Sequence, residues 1–313
     1  MEMRNTVKEV KMTTSIRLDK ETGKYEGFFN GKLVKRTVNK VWLEKHLAKL
    51  VKEVSTASLE STEQAPTVAD KFSINERFSF VTKLVNMVAS GVQASAVITG
   101  SGGLGKTYTV VKTLVDAGYR DISDLADFQV GAALNSAKCF LSVKGYSTAK
   151  GLYRTLFENN KSVIVFDDCD AVLKDPVALN ILKGALDSYG KRIISWNADM
   201  KDDDLPRSFN FEGRVIFISN MDQNRIDQAI RSRSMMIDLS MTTEQKIDRM
   251  EFIAKEEAFM PEYEMAVKRD ALALIRELKD EANDISLRTL IAVSKIRASN
   301  DDWRDLATYM LTA

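Results

Sequence analysis

Two hydrophobic periods divide the chain. Over residues 14–38 apolar and polar positions alternate as in a strand with one covered face, and Asn30-Gly31 separates GKYEGFF from KLVKRTV. Asn-Gly tolerates the positive φ angles of a two-residue hairpin turn, so a small sheet is predicted here. From Asn39 the period lengthens: Leu43, Leu47, Leu50 and Val54 recur at helical spacing with lysines opposite. Residues 1–54 therefore read as strands followed by one helix. Residues 55–70, STASLESTEQAPTVAD, have no sustained period and read as a linker.

Beyond residue 70, continuous apolar runs at 95–99, 138–143, 162–167, 214–219 and 235–239 alternate with helical stretches. Runs without a polar face suit strands buried on both sides. An α/β fold is predicted for 71–240, a five-stranded parallel sheet flanked by helices. The tail, 241–313, reads as helices only. Thr242 with Gln245 has the form of a capping box, and 264–280 and 286–298 supply two more helices. The helix opened by Asp175-Pro176 repeats Ala178, Ile181, Leu182, Ala185 and Leu186 at core spacing.

The 313 residues balance 45 Lys+Arg against 44 Asp+Glu, which by itself dictates neither a polyanionic nor a membrane partner. The distribution is uneven. Residues 1–54 hold 13 Lys/Arg against 7 Asp/Glu, a net +6, leaving 32 against 37, a net −5, for the remainder. Cys139 and Cys169, both in apolar runs, fit a reduced protein without disulfides, and one histidine leaves no Cys/His metal site. MEMRNTVKEV has no apolar leader core, and no run approaches the roughly 18 apolar residues of a membrane span. A soluble, cytoplasmic protein with no membrane partner is expected.

The chemistry begins at Gly100-Ser101-Gly102-Gly103-Leu104-Gly105-Lys106-Thr107, which satisfies G-x-x-x-x-G-K-[ST]. SAVIT before it is a buried-strand signal, and YTVVKTLVDAG after it is an amphipathic helix ended by Gly118. A loop joining a strand to a helix N-terminus offers unpaired N–H groups and the positive end of the helix dipole to phosphate oxygens. Residues 100–108, ending at Tyr108, are thus the expected nucleotide-binding segment, with Lys106 reaching the β- and γ-phosphates and the Thr107 hydroxyl ligating Mg²⁺. KSVIVFDDCDAV supplies the carboxylates: Asp167 at the strand end for the metal, Asp168 to polarise water. RVIFISN brings Asn220 to the same carboxyl edge, where open parallel sheets bind ligands.

This order of motifs, followed by IDQAIRSRSMMIDLSM and a helical tail, resembles the AAA+ ATPases within the P-loop NTPases, over residues 70–313, and looks most like those encoded by bacteriophages. On the resemblance, Gly100 to Thr107 match Walker A, Asp167 and Asp168 match Walker B, Asn220 matches sensor 1, and Arg288 in DISLRTL matches sensor 2 on a helical lid spanning 241–313. Asp168 departs from the usual Glu, which bears on the speed of hydrolysis. Arg231 and Arg233 fall where such ATPases carry an arginine finger given to a neighbouring subunit, Arg233 being the first choice. The competing reading has these arginines solvated or paired with Asp227 and Asp238. The resemblance implies ATP, Mg²⁺, ATP hydrolysis and a ring of identical subunits, expected to be a hexamer.

Three cargo readings follow. Lys32, Lys35, Arg36 and Lys40, with Phe28, Phe29 and Trp42 nearby, suit DNA engaged by the N-terminal unit, as in a motor or loader of phage DNA metabolism. Lys144 and Tyr146 resemble a pore loop that threads polypeptide, though a tyrosine beside Lys144 and Lys150 also suits single-stranded nucleic acid. In the third, Asp168 hydrolyses poorly and ATP mainly gates assembly. The connection 193–213 is a second pore-loop candidate, its Asp202, Asp203 and Asp204 reading as a solvated turn.

Overall fold

A computed structural model describes residues 14–19, 22–29, 32–37, 39–41, 43–47, 71–126, 138–145, 147–187, 190–197 and 205–313. The Asn30-Gly31 turn, Trp42, Leu50, Val54, the 55–70 linker, Tyr146 and Asp202 to Asp204 lie outside those residues. The chain divides into two compact units, Met1–Thr67 and Val68–Ala313.

In the first unit, β1 (Thr14–Leu18), β2 (Tyr25–Phe29) and β3 (Lys32–Thr37) form an antiparallel sheet in that order. Helical residues from Lys40 to Leu47 cover one face through the buried Leu43 and Leu47. Gly27 is required at the contact, since a Cβ there would meet Leu43 Cδ1 at 2.8 Å.

The second unit is built on a parallel sheet in the order β11-β4-β10-β7-β6-β5. Its strands are β4 (Ser95–Thr99), β5 (Arg120–Asp121), β6 (Cys139–Lys144), β7 (Val163–Asp167), β10 (Arg214–Ile218) and β11 (Met235–Asp238). Six strands stand where the pattern predicts five. The added edge strand β5 is two residues long and exposed, too short and too polar to leave a hydrophobic signature. The period-2 alternation of a strand sends Ile164, Phe166, Val215 and Phe217 to one face, against α3 (Ala149–Glu158) and α4 (Pro176–Ala185). Val163, Val165, Ile216 and Ile218 point the other way, against α1 (Ile74–Ala89) and α2 (Lys106–Asp116). Both faces are covered, which is why these runs carry no polar alternation. The connection before β10 carries a small hairpin, β8 (Ile193–Ser195) with β9 (Ser208–Asn210).

The helical tail comprises α5 (Thr243–Ala254), α6 (Met265–Glu277), α7 (Leu287–Ser299) and α8 (Trp303–Thr312). Thr242 and Gln245 form the reciprocal capping box at the start of α5. These helices bury their own core, Ile247, Met250, Leu274, Ile275, Leu290, Val293 and Leu311, and Leu104 from the 100–107 loop inserts into it, fully buried. Burial of one leucine contributes about 2 kcal/mol. Leu104 therefore anchors the loop to the helical layer through its side chain, and the 230 Å³ cavity at the carboxyl edge of the sheet is lined by other residues of the loop.

Candidate nucleotide site

The loop from Gly100 to Gly105 leaves β4 and opens α2 through a sequence of conformations that side chains resist. Gly100, Gly103 and Gly105 have φ of 130°, 73° and 94°. At Gly100 a Cβ would stand 2.6 Å from the backbone carbon of Leu239, so Gly100→Ala meets both a left-handed backbone and a wall. We expect that substitution to destabilise the second unit by about 2 kcal/mol, a fall in Tm of roughly 4–8 °C by calorimetry.

Lys106, at the first turn of α2, is almost fully buried. Its Nζ donates to the carbonyl oxygens of Gly100 at 2.6 Å and Ser101 at 2.7 Å, and to Asn220 Oδ1 at 2.8 Å. Burial lowers its pKa from the ordinary lysine value, opposed by the carboxylates of Asp168, Asp167 and Asp170. Thr107 Oγ1 lies 3.0 Å and 3.1 Å from the two carboxylate oxygens of Asp167, the last residue of β7. Asp168 follows with φ 56°, a left-handed conformation that Asp tolerates better than most residues, and its N–H donates to the Ile218 carbonyl at 3.0 Å. That turn brings its carboxylate to Asn220, whose Nδ2 donates to Asp168 Oδ1 at 2.6 Å. Burial raises the Asp168 pKa, and the neighbouring Asp167 charge raises it further. Asn220 thus links the lysine to the second acid with its two amide ends.

Residues 167, 168 and 220 are placed by the sheet: β7 and β10 are adjacent and in register, Asp167 opposite Ile218. A second tier holds Asn220. Ser219 Oγ donates to Asp170 Oδ1 at 2.6 Å and accepts from the Met221 N–H at 3.0 Å. The N-terminus of α7 closes the other side, its Leu287 N–H donating to the Gly103 carbonyl at 2.8 Å and Ser286 capping the helix. The next residue, Arg288, reaches the same cavity of 230 Å³ as Gly102, Gly103, Gly105, Lys106, Thr107, Tyr108, Asp167, Asp168 and Asn220. Ser101 serves the cavity from behind, through the carbonyl that accepts from Lys106.

Several features of the site were not evident in the sequence. Lys144 ends β6 opposite Asp167, with Nζ 3.9 Å from Asp167 Oδ2, so it borders the acids at the carboxyl edge of the sheet. Next to the 230 Å³ cavity, and sharing Gly105 and Tyr108 with it, lies a second cavity of 540 Å³. Phe78, Phe252, Ile253, Phe259, Leu287 and Ile291 make its apolar wall, and Asn75, Thr109 and Arg249 add polar groups. Arg249 stacks 3.7 Å above the Phe78 ring, donates to Asn75 Oδ1 at 2.9 Å, and has its pKa lowered by burial to about 10.

Arg231 and Arg233 are elsewhere. Ser95 Oγ, at the beginning of β4, donates to the Arg233 carbonyl at 3.1 Å, one strand length from Gly100, or about 16 Å for five residues. They cannot reach the 230 Å³ cavity of their own chain. Asp227 and Asp238 do not hold them: Asp227 caps the one-turn helix Gln228–Arg231, and Asp238 accepts from Thr99 and Ser240. Among the described residues neither arginine has an ion pair, and Arg233 Nε is buried without a hydrogen-bond partner.

The fold and site define an α/β protein with a six-stranded parallel sheet and a polar cavity at its carboxyl edge. No protein-family model matches the chain. It is similar to a protein of Enterobacteria phage T4, the uncharacterized 36.7 kDa protein of the nrdC–mobD intergenic region, with 28% identity over 257 residues, 76% of this chain and 74% of that protein. Among the described residues no helix is long and apolar enough to cross a membrane.

Proposed function

We propose that the chain is a Mg²⁺-dependent ATPase of the AAA+ type, assembled as a ring in which each nucleotide is completed by the neighbouring subunit. The observation that carries the reading is the meeting of Lys106, Thr107, Asp167, Asp168 and Asn220, drawn from three strand ends, around one cavity floored by the first turn of a helix. Phosphate is the ligand that such a loop, helix terminus and buried cation suit. The residues also fit the metal. Thr107 Oγ1 and the Asp167 carboxylate present adjacent hard oxygen donors, and among the described residues no closed cluster of His, Cys, Asp or Glu competes as a metal cage. Magnesium held there would neutralise charge on the β- and γ-phosphate oxygens.

The chain's own groups divide the remaining tasks. Lys106 is held by two backbone carbonyls and Asn220, a preformed position from which Nζ turns toward an arriving triphosphate. Asp168, desolvated and beside a like charge, accepts a proton from water more readily than an ordinary carboxylate. Asn220 orients that carboxylate, and Arg288 faces the terminal phosphate from α7. The 540 Å³ cavity supplies an apolar slot of the size and position for the base, with Tyr108 and Gly105 as the hinge between the two compartments. Arg233 or Arg231, remote from its own cavity, is the cation offered across a subunit boundary.

Asp168→Asn tests the assignment. Turnover should fall about 10²–10⁴-fold with ATP affinity retained. In the wild type kcat should decline on the acid side as the pH falls through a carboxyl pKa above the ordinary 3.8, because the base must be ionised. Unchanged turnover in the variant would favour the nucleotide-gated binding module, in which ATP controls assembly and hydrolysis is incidental.

A further inference from the structure

The N-terminal sheet has one face covered by helical residues and one face open. Pairing register identifies the open face. Gly27 meets Leu43, so residues of the Gly27 row point inward and those of the adjoining rows point out. One outward row runs Arg17, Glu26, Arg36 across the three strands, and the next runs Ser15, Phe28, Leu33. Glu26 is neutralised by Arg36, Nε to Oε1 at 2.6 Å, which leaves the other N–H groups of that guanidinium for a ligand. Arg17 lies over the Phe28 ring at 5.2 Å and has no ion pair among the described residues.

The charge around this face is one-sided. Described residues of the unit include seven cations, Arg17, Lys24, Lys32, Lys35, Arg36, Lys40 and Lys45, against three acids, Asp19, Glu26 and Glu44. Two of the acids are spent internally, Glu26 on Arg36 and Glu44 on Lys40 at 3.8 Å. Lys32 and Lys35 stand on the edge strand β3, beside Arg36. The excess belongs to residues 1–54, at +6, while the remainder of the chain is at −5.

We propose that this open face is a binding surface for duplex DNA, with Arg17 and Arg36, which share an outward row, meeting backbone phosphates. Charge complementarity selects a polyanion. Phe28 selects the duplex over a single strand, because the Arg17 guanidinium already occupies a face of the one described aromatic ring on this surface, where an unpaired base would stack. The inference does not depend on the nucleotide site.

Fluorescence anisotropy with the full-length protein, no nucleotide, and a labelled 30-base-pair duplex tests it. Binding at 50 mM NaCl is expected, with log Kd rising with log salt at a slope near 2 for two phosphate contacts. Arg17→Ser with Arg36→Ser should weaken binding at least tenfold and lower the slope by about 2. Arg17→Glu alone, a change at an exposed position of β1, should weaken binding with the melting temperature of the protein little changed. No binding at 50 mM NaCl, equal affinity for the single strand, displacement by polyglutamate at equal charge, or variants with wild-type slopes would each overturn the proposal.

Discussion

Arg233→Ala is expected to lower ATP turnover by 10³–10⁵ while leaving ATP affinity near that of the wild type. The arginine sits at the far end of β4 from Gly100 and cannot reach the phosphate cavity of its own chain. Its effect on turnover must therefore come from a second subunit. Its Nη1 donates to the Ala229 carbonyl at 3.1 Å and to Ser232 Oγ at 3.5 Å, so its loss costs two local hydrogen bonds and little stability. A mixing experiment separates a finger given in trans from a structural role. Arg233→Ala keeps its own Asp168, and Asp168→Asn keeps its own Arg233, so a head-to-tail interface between the two variants holds one intact site. Random mixing of the two inactive proteins should restore up to about a quarter of wild-type turnover. If no mixture exceeds the sum of its components, the trans assignment fails. A corresponding loss with Arg231→Ala alone would move the role to Arg231.

Lys106→Ala is the second large effect. Two charge-assisted hydrogen bonds to phosphate contribute about 3–6 kcal/mol, so ATP affinity should fall roughly 10²–10⁴-fold and turnover should become undetectable. The same side chain ties Gly100, Ser101 and Asn220 together, and its removal leaves three acceptors short of a donor. Lys106→Arg distinguishes the two consequences. Arginine keeps a cation for the carbonyls yet replaces a compact ammonium by a broad fork in a position that is 5% exposed. It should preserve the melting temperature better than alanine and still fail in turnover. Tryptophan fluorescence with a competing fluorescent nucleotide reads affinity, and a coupled phosphate assay reads turnover.

The site was legible in the sequence where its chemistry is local. Gly100 to Thr107 announces itself because three glycines at positive φ, a lysine and a threonine must follow one another within eight residues. Asp167 was legible because a fully buried strand has to end in something polar, and Asn220 by the same reasoning one strand over. Leu104 shows the limit. It has the same neighbours in sequence as the glycines, but its apolar side chain partitions into the core of the helical layer, a packing role the motif does not reveal. Lys144 was read into the following loop because the apolar run stops at Val143. Hydrogen bonding to β7 carries the strand one residue further and sets the lysine beside Asp167.

What depends on long-range packing was not legible. Phe78 and Arg249 form a stacked pair across 171 positions that no periodicity connects. The edge strand Arg120–Asp121 and the hairpin of Ile193–Ser195 with Ser208–Asn210 are two or three residues long, below the length at which alternation is visible. The open face of the N-terminal sheet needed the register. Lys35, grouped with Arg36 by composition, belongs to the Gly27 row, and Arg17, from another strand, shares a row with Arg36.

The central claim is that the cavity formed by the 100–107 loop, Asp167, Asp168 and Asn220 holds the phosphates of ATP with a metal. Isothermal titration of the full-length protein with ATP, in the presence of Mg²⁺ and again with EDTA, tests it most directly. Saturable binding that tightens with Mg²⁺ in the wild type and disappears in Lys106→Ala is the predicted result. Absence of ATP binding by folded wild-type protein with Mg²⁺ present, or equal affinity in Lys106→Ala, would contradict it.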